Sequence, residues 1–317
     1  MKNWESPKLT NILQGQQKVL GYFFAIGATA LWSGNFIIAR GLAESISPIN
    51  LAFFRWVVAV VVFLPFALKP LIAEREILKN NLPYLLITSL LGITIFNTLI
   101  YLAGHTTTAI NLSLISITFP IFIVIFSRII FGELITLNRG IGIILVILGV
   151  VTLISKGDFS RILSISFAIG DVWMLMAAII FAIYSILLKH KPKQLSIWAF
   201  QLSTFILGLI FLFPFFIWEY VTLPSVEFDT KTILSIFYVG VFASLSAFVL
   251  WNKAIMMVGP SKAGMIYYTL PLFSGLLAYF FLQENITTMH IYSALLIVSG
   301  ILTANYESKL AKLVAKN

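Results

Sequence analysis

The sequence predicts an all-α membrane protein of ten transmembrane helices, arranged as two inverted five-helix repeats with both termini cytoplasmic. Three observations predict it. The 317-residue chain is 60% hydrophobic and only 10% charged, with a mean hydropathy of +1.00, whereas a soluble domain is roughly half apolar and a quarter charged. Ten stretches are apolar for about 17–24 residues, long enough to cross roughly 30 Å of hydrocarbon as helices. Finally, residues 21–155 recur in register as residues 170–306.

The repetition rests on matched residues and not on shared greasiness. Gly21, Ser47 and Pro65 return 149 positions later as Gly170, Ser196 and Pro214. Pro120, Glu133, Thr136, Gly149 and Thr152 return 151 positions later as Pro271, Glu284, Thr287, Gly300 and Thr303. Each copy holds five apolar segments, and a unit with an odd number of crossings enters the bilayer the opposite way round from its neighbour. Two inverted copies around one central site describe a transporter core.

The predicted spans lie near 20–39, 48–68, 82–103, 109–130, 138–155, 168–188, 197–219, 232–252, 260–282 and 287–305, joined by loops too short for a soluble domain. Continuous runs such as Ile141–Ile154 exclude the alternating pattern of β-barrel strands. Residues 1–18 are polar and show no charged head leading into a short apolar stretch with a cleavage site, so the first span reads as retained. The organisation is then a cytoplasmic segment at 1–18, repeats at 19–156 and 168–306, and a basic cytoplasmic tail at 307–317. In the tail, Leu310, Leu313 and Val314 share a face between Lys309, Lys312 and Lys316, the pattern of a short helix on an anionic inner leaflet.

The net charge of +9 raises a nucleic-acid partner, which its distribution excludes. With the N-terminus inside, inward segments carry 16 Lys and Arg, outward segments carry 4 (Arg40, Lys156, Arg161 and Lys231), and Arg55 lies within a span. That is the positive-inside bias of a cytoplasmic (inner) membrane protein. Equivalent loops carry opposite bias: Arg40 sits beside Glu44 after span 1, whereas Lys189, His190, Lys191 and Lys193 follow span 6. Cysteine is absent, which excludes disulfides and thiolate metal sites. His105, His190 and His290 are scattered, giving no metal site, and no Gly-rich phosphate loop is present. The expectation is a non-enzyme with no cofactor and no metal, whose partners are a small-molecule substrate and membrane lipids.

The carrying residues are the aromatic-polar stretch Leu31-Trp32-Ser33-Gly34-Asn35, Pro48 with Arg55 in span 2, and Tyr101, Pro120, Glu133, Thr136, Gly142 and Gly149 in the first copy. The second copy continues with Pro260, Pro271-Leu272, Glu284, Thr287 and Gly300. Together they resemble the EamA-domain branch of the drug/metabolite transporter superfamily, over about 20–306. The second copy departs from the pattern in two places, with Thr204 opposite Arg55 and Gln283 opposite Gly132. The resemblance implies two tandem EamA-like domains and transport of a metabolite, amino acids among the family's varied cargo; it does not choose the cargo.

Helical periodicity groups Trp32 with Asn35 in span 1, and Thr94 with Asn97 and Tyr101 in span 3. Their repeat partners are Phe181 and Tyr184 in span 6, and Ser244, Ala247 and Trp251 in span 8; Ser116 in span 4 aligns with Tyr267 in span 9. Polar groups at membrane depth are costly toward lipid, so these faces point inward. One reading is a pocket lined by spans 1, 3, 4, 6, 8 and 9, with rings packing the solute and amides or hydroxyls fixing its polar end. The other is interhelical hydrogen bonding and plain packing.

Arg55 is open to three readings: recognition of an anion by its forked donors, snorkelling to the outer interface, or a structural pair with Asp171; the structural roles are favoured. Asp171, alone among acids within a span, is the candidate for proton coupling, and a facilitator or exchanger is equally compatible. Glu133 and Glu284 read as structural turn residues beside the N-caps Thr136 and Thr287. Pro120 and Pro271 fall inside spans 4 and 9, where proline kinks a helix and can serve as a hinge. Small residues seven apart, Gly142 with Gly149 and Ser293 with Gly300, favour close helix packing, within a monomer or a homodimer. The combined expectation is a secondary transporter working by alternating access on an amino acid or similar amphipathic solute, with export favoured. Alternatives are a multidrug or other metabolite transporter of the same fold, and a membrane scaffold.

Overall fold

The computed structural model describes residues 7–43, 45–107, 109–155, 158, 168–223, 226, 228–282 and 288–306. The predicted tail helix, Glu284 with Thr287, and the outward charges Lys156 and Arg161 lie outside the described residues. Among those described, the chain is helical without a strand. The helices are α1 (Pro7–Gly41), α2 (Pro48–Ala73), the short α3 (Arg75–Asn80), α4 (Leu82–Thr106), α5 (Ala109–Ser116), α6 (Phe119–Phe131) and α7 (Leu137–Ser155). The second repeat supplies α8 (Ile169–Leu187), α9 (Ile197–Thr222), α10 (Thr230–Val258), α11 (Pro260–Tyr267), α12 (Leu270–Leu282) and α13 (Thr288–Asn305).

Seven helical stretches among the described residues are long and apolar enough to cross a membrane: Gln16–Ala39, Pro48–Ala73, Leu82–Thr106, Ile169–His190, Ile197–Thr222, Thr230–Val258 and Thr288–Asn305. The core is apolar, but so is much of the surface, and several polar side chains lie inside. Phe23, Val61, Phe66, Leu148, Trp218 and Leu295 are exposed, while Asn35, Arg55, Asn97, Gln201 and Asn252 are buried. Lipid accepts the first set, and only the protein interior can pair the second.

Spans 4 and 9 differ from expectation. Each is broken in two, at 117–118 and 268–269, with Pro120 and Pro271 in the first turn of the following helix. The proline ring collides with the carbonyl four residues back and cannot donate to it. Those carbonyls belong to Ser116 and Tyr267, the residues at which α5 and α11 end. A threonine closes each break: the Thr118 hydroxyl donates to the Ile115 carbonyl at 2.7 Å, and the Thr269 hydroxyl to that of Ile266 at 2.8 Å. The prolines therefore start helices instead of kinking their interiors. α4 and α10 carry a second matched irregularity, π-helical turns at Leu90–Ile95 and Val239–Ser246.

Two pairs of equivalent helices, α2 with α9 and α7 with α13, pack against each other and run antiparallel. At one end of the α2–α9 pair, Glu219 near the end of α9 accepts from the Ser47 hydroxyl and from the Asn50 amide at 3.0 Å. At the other end, Glu74 just beyond α2 accepts from the Ser196 amide at 2.7 Å. Ser47 and Ser196 are the repeat-matched residues preceding the two helices, and each start is closed by a carboxylate from the partner repeat. The α7–α13 pair follows the same rule: Gly142 meets Gly300, and the Ser293 hydroxyl donates to the Gly149 carbonyl at 2.7 Å. Added Cβ atoms at Gly142 and Gly300 would lie 2.5 and 2.6 Å from the opposing carbonyl oxygen, so only glycine lets these backbones meet. The remaining contacts exchange in the same way, α1 packing on α10, α11 and α12, and α8 on α4, α5 and α6.

Two outcomes follow. Gly300→Ala lowers the thermal unfolding temperature in detergent, by about 1–3 kcal/mol of overpacking, whereas Gly140→Ala, which meets nothing within 4 Å, leaves it unchanged or raises it; equal behaviour of the two contradicts the packing. Glu219→Ala strands the start of α2 and destabilises by about 1–3 kcal/mol, read in the same assay.

Candidate functional site

Rings carried by α1, α6, α8, α10 and α11 meet in one cluster between the repeats. Trp32 of α1 lies 5.3 Å from Trp251 of α10, 5.4 Å from Phe181 of α8, 5.7 Å from Phe248 and 6.2 Å from Tyr267. Phe119, the first residue after the α5–α6 break, packs 4.7 Å from Tyr267 and 4.8 Å from Phe181. Edge-on and tilted arrangements dominate, as ring quadrupoles prefer. The indole of Trp32 is fixed by donation to the Ala243 carbonyl at 2.8 Å, and that of Trp251 by donation to the Ser185 hydroxyl at 3.1 Å. Ser116 and Tyr267, matched residues that end α5 and α11, are hydrogen-bonded to each other. The bond joins the ends of α5 and α11, so the two helix breaks face one another.

Two polar chains flank the rings, one from each repeat. In the first, Arg55 of α2 is fully buried. Its Nε donates to the Ser244 hydroxyl and its Nη1 to the Tyr101 hydroxyl, both at 2.6 Å, and Tyr101 donates onward to Asn35 at 3.2 Å. The guanidinium also lies 5.2 Å from the Trp56 ring and 5.5 Å from that of Tyr101. In the second, the Tyr184 hydroxyl donates to Asn252 at 3.1 Å, and Asn252 donates to Gln201. Asn35 and Tyr184 are matched across the repeats, so the chains link the first, second and third helices of each copy. One is cationic and the other neutral.

The π-helical turns position these groups. A widened turn leaves a carbonyl five residues back open to a side chain; Ser244 donates to Val239 at 2.7 Å, which turns its oxygen toward Arg55. Gly240 makes this possible, because a Cβ there would sit 2.9 Å from the Arg55 carbonyl.

Not every singled-out residue joins the site. Asn97 spends its amide on the Gly92 and Ile93 carbonyls of its own π-turn, both at 3.1 Å, and Thr94 donates to Gly208 at 3.2 Å. Both are occupied by backbone. The expected Arg55–Asp171 pair does not form, nor does Arg55 snorkel. Asp171 caps the start of α8, accepting from the Ala168 amide at 2.7 Å, from the Asn111 Nδ2 at both of its oxygens at 3.1 Å, and from the Thr107 hydroxyl. Glu133 is more than a turn residue: it accepts from Ser261 at 2.6 Å and pairs with Lys189 at 3.4 Å and Arg139 at 3.7 Å. Thr136 does cap α7, through the Arg139 amide at 3.3 Å.

Sequence reasoning missed Gln201, Asn252 and Phe119. Gln201 aligns with Ala52 and Asn252 with Leu102, so matching the repeats hid them. The signal was each residue's own polarity within an apolar stretch.

A profile of the EamA-like transporter family matches residues 19–155 and 168–306. An uncharacterized transporter of Archaeoglobus fulgidus is 27% identical over 279 residues, covering 86% of this chain and 92% of the relative. One of Methanothermobacter thermautotrophicus is 26% identical over 308 residues, covering 92% and 88%. The uncharacterized transporter YyaM of Bacillus subtilis is 23% identical over 286 residues, covering 90% and 93%. A solved crystal structure, 19% identical, shares the fold with a TM-score of 0.74 over 95% of this chain and 99% of that one. The chain is a multi-pass membrane protein and belongs to the EamA-like transporter family.

Proposed function

We propose that this chain is a secondary transporter of a small amphipathic solute, an amino acid or a close relative, working by alternating access across the cytoplasmic membrane, with export as its direction. In this reading ten spans form two inverted five-helix repeats, with both termini cytoplasmic. The observation that carries it is the shared centre: two antiparallel repeats bring a ring cluster, two facing helix breaks and two buried polar chains to one place. Aromatic rings suit an apolar body, and a few placed polar groups fix its orientation. A single buried cation among the described residues of the centre argues against sugar phosphates, which call for several.

The connections also sort as an inverted pair requires. Contacts join 40–47 to the end of α9, and Thr107 with Asn111 to the start of α8. At the other ends, Glu74 meets Ser196, and Glu133 meets Lys189 and Ser261. These are the two sets that the Lys and Arg bias assigns to opposite sides. Glu133 thus ties three connections of the positive set together, an arrangement suited to holding that side closed.

Proteoliposomes loaded with L-leucine, L-methionine or L-phenylalanine test the reading. Wild-type protein exchanges the labelled amino acid, and Trp32→Ala, folded by size-exclusion profile, loses about tenfold in rate, equivalent to some 1.4 kcal/mol. Faster movement in the export-oriented population supports the direction. Unaltered flux in Trp32→Ala contradicts the central site, and thermal stabilisation by sugar phosphates but not amino acids contradicts the cargo.

A further inference from the structure

We propose that Arg55 is the carboxylate-recognition residue of the central site, so that the solute is one that presents a free carboxylate; the inference rests on the transporter reading above and names the chemistry its site selects. Arg55 is 0% exposed, and a guanidinium at membrane depth is costly unless its charge is met. Among the described residues no acid pairs with it. Its hydrogen-bond partners are two neutral hydroxyls, Ser244 and Tyr101, and Nη2 is buried with no hydrogen-bond partner.

Three acids that the helix ends carry are engaged elsewhere. Asp171 serves Thr107, Asn111 and the start of α8. Glu219 serves Ser47 and Asn50, and Glu133 is paired with Lys189 and Arg139. The fold thus holds a buried cation with one donor group unspent, and supplies no internal counter-charge among the described residues. A guanidinium with an unspent edge suits a carboxylate, which takes two parallel N–H bonds. Displacement of Ser244 from Nε would complete that edge, and Ser244 retains the Val239 carbonyl as its own partner.

The matched position sharpens the case. The second repeat has Thr204 where the first has Arg55, and Thr204 spends its hydroxyl on the Gln201 carbonyl at 3.0 Å. A role in folding the repeat is filled there without charge. Arg55 therefore serves something that only one half of the site does, as recognition of one end of an asymmetric solute does.

Thermal shift of the purified full-length protein in detergent decides it. The probes are L-leucine, L-methionine and L-phenylalanine, each beside its carboxamide and its decarboxylated amine. The free acids raise the unfolding temperature, and the amides and amines bind about 10- to 100-fold more weakly, as loss of a charge-assisted pair predicts. This arm needs no variant. In a second arm, Arg55→Gln abolishes the preference for acid over amide, and Arg55→Lys, which keeps charge but not the fork, reduces it. Equal stabilisation by acids and amides, or an acid preference retained in Arg55→Gln, overturns the assignment while leaving the amino-acid reading intact. No response to any of the probes removes the cargo reading and this inference with it.

Discussion

The contact within two pairs of equivalent helices, α2 with α9 and α7 with α13, each laid antiparallel, is the constraint on which the rest depends. It follows from sequence at small residues and at two carboxylates. Gly142, Gly149, Ser293 and Gly300 let α7 and α13 meet backbone to backbone, and Glu219 and Glu74 close the starts of α2 and α9 across the repeat boundary. In lipid no hydrophobic force draws helices together, so close packing and such hydrogen bonds must do it. With these two pairs in place, α1 is carried onto α10 and α8 onto α4. The faces that would be expensive toward lipid are then turned to one another.

What lies at that centre is a consequence of the same symmetry, imperfectly kept. The breaks before Pro120 and Pro271 are matched, the Ser116–Tyr267 bond joins matched positions, and both α4 and α10 carry a π-turn. The side chains hung on this frame are not matched. One chain of polar groups ends in a guanidinium, the other in the amide of Gln201. A symmetric frame with unlike ends suits a solute whose own ends differ.

Much of this was legible in the sequence, because its causes are local or periodic. Apolar length marked the helices, the matched prolines and glycines marked the repeats, and helical spacing put Trp32, Trp251 and Tyr267 on converging faces. The rest depended on partners far apart in the chain. Nothing near Arg55 in sequence shows that Ser244 and Tyr101 would meet it, or that Asp171 would be taken by Thr107 and Asn111. Asn97 looked available because its period was right, yet the π-turn beside it uses its amide. The broken helices were half visible. Thr118-Phe119-Pro120 and Thr269-Leu270-Pro271 share one pattern, and a proline's clash four residues back marks the end of each preceding helix.

The central claim is that the two repeats are threaded oppositely through the bilayer around the shared site. The absence of cysteine makes the direct measurement simple: single variants Ser45→Cys and Gln194→Cys, in the 40–47 and 189–196 connections, probed with a membrane-impermeant maleimide on sealed vesicles of known orientation. The account predicts labelling of the two from opposite sides, since the connections lie at opposite ends of α2. Labelling of both from the same side would contradict it.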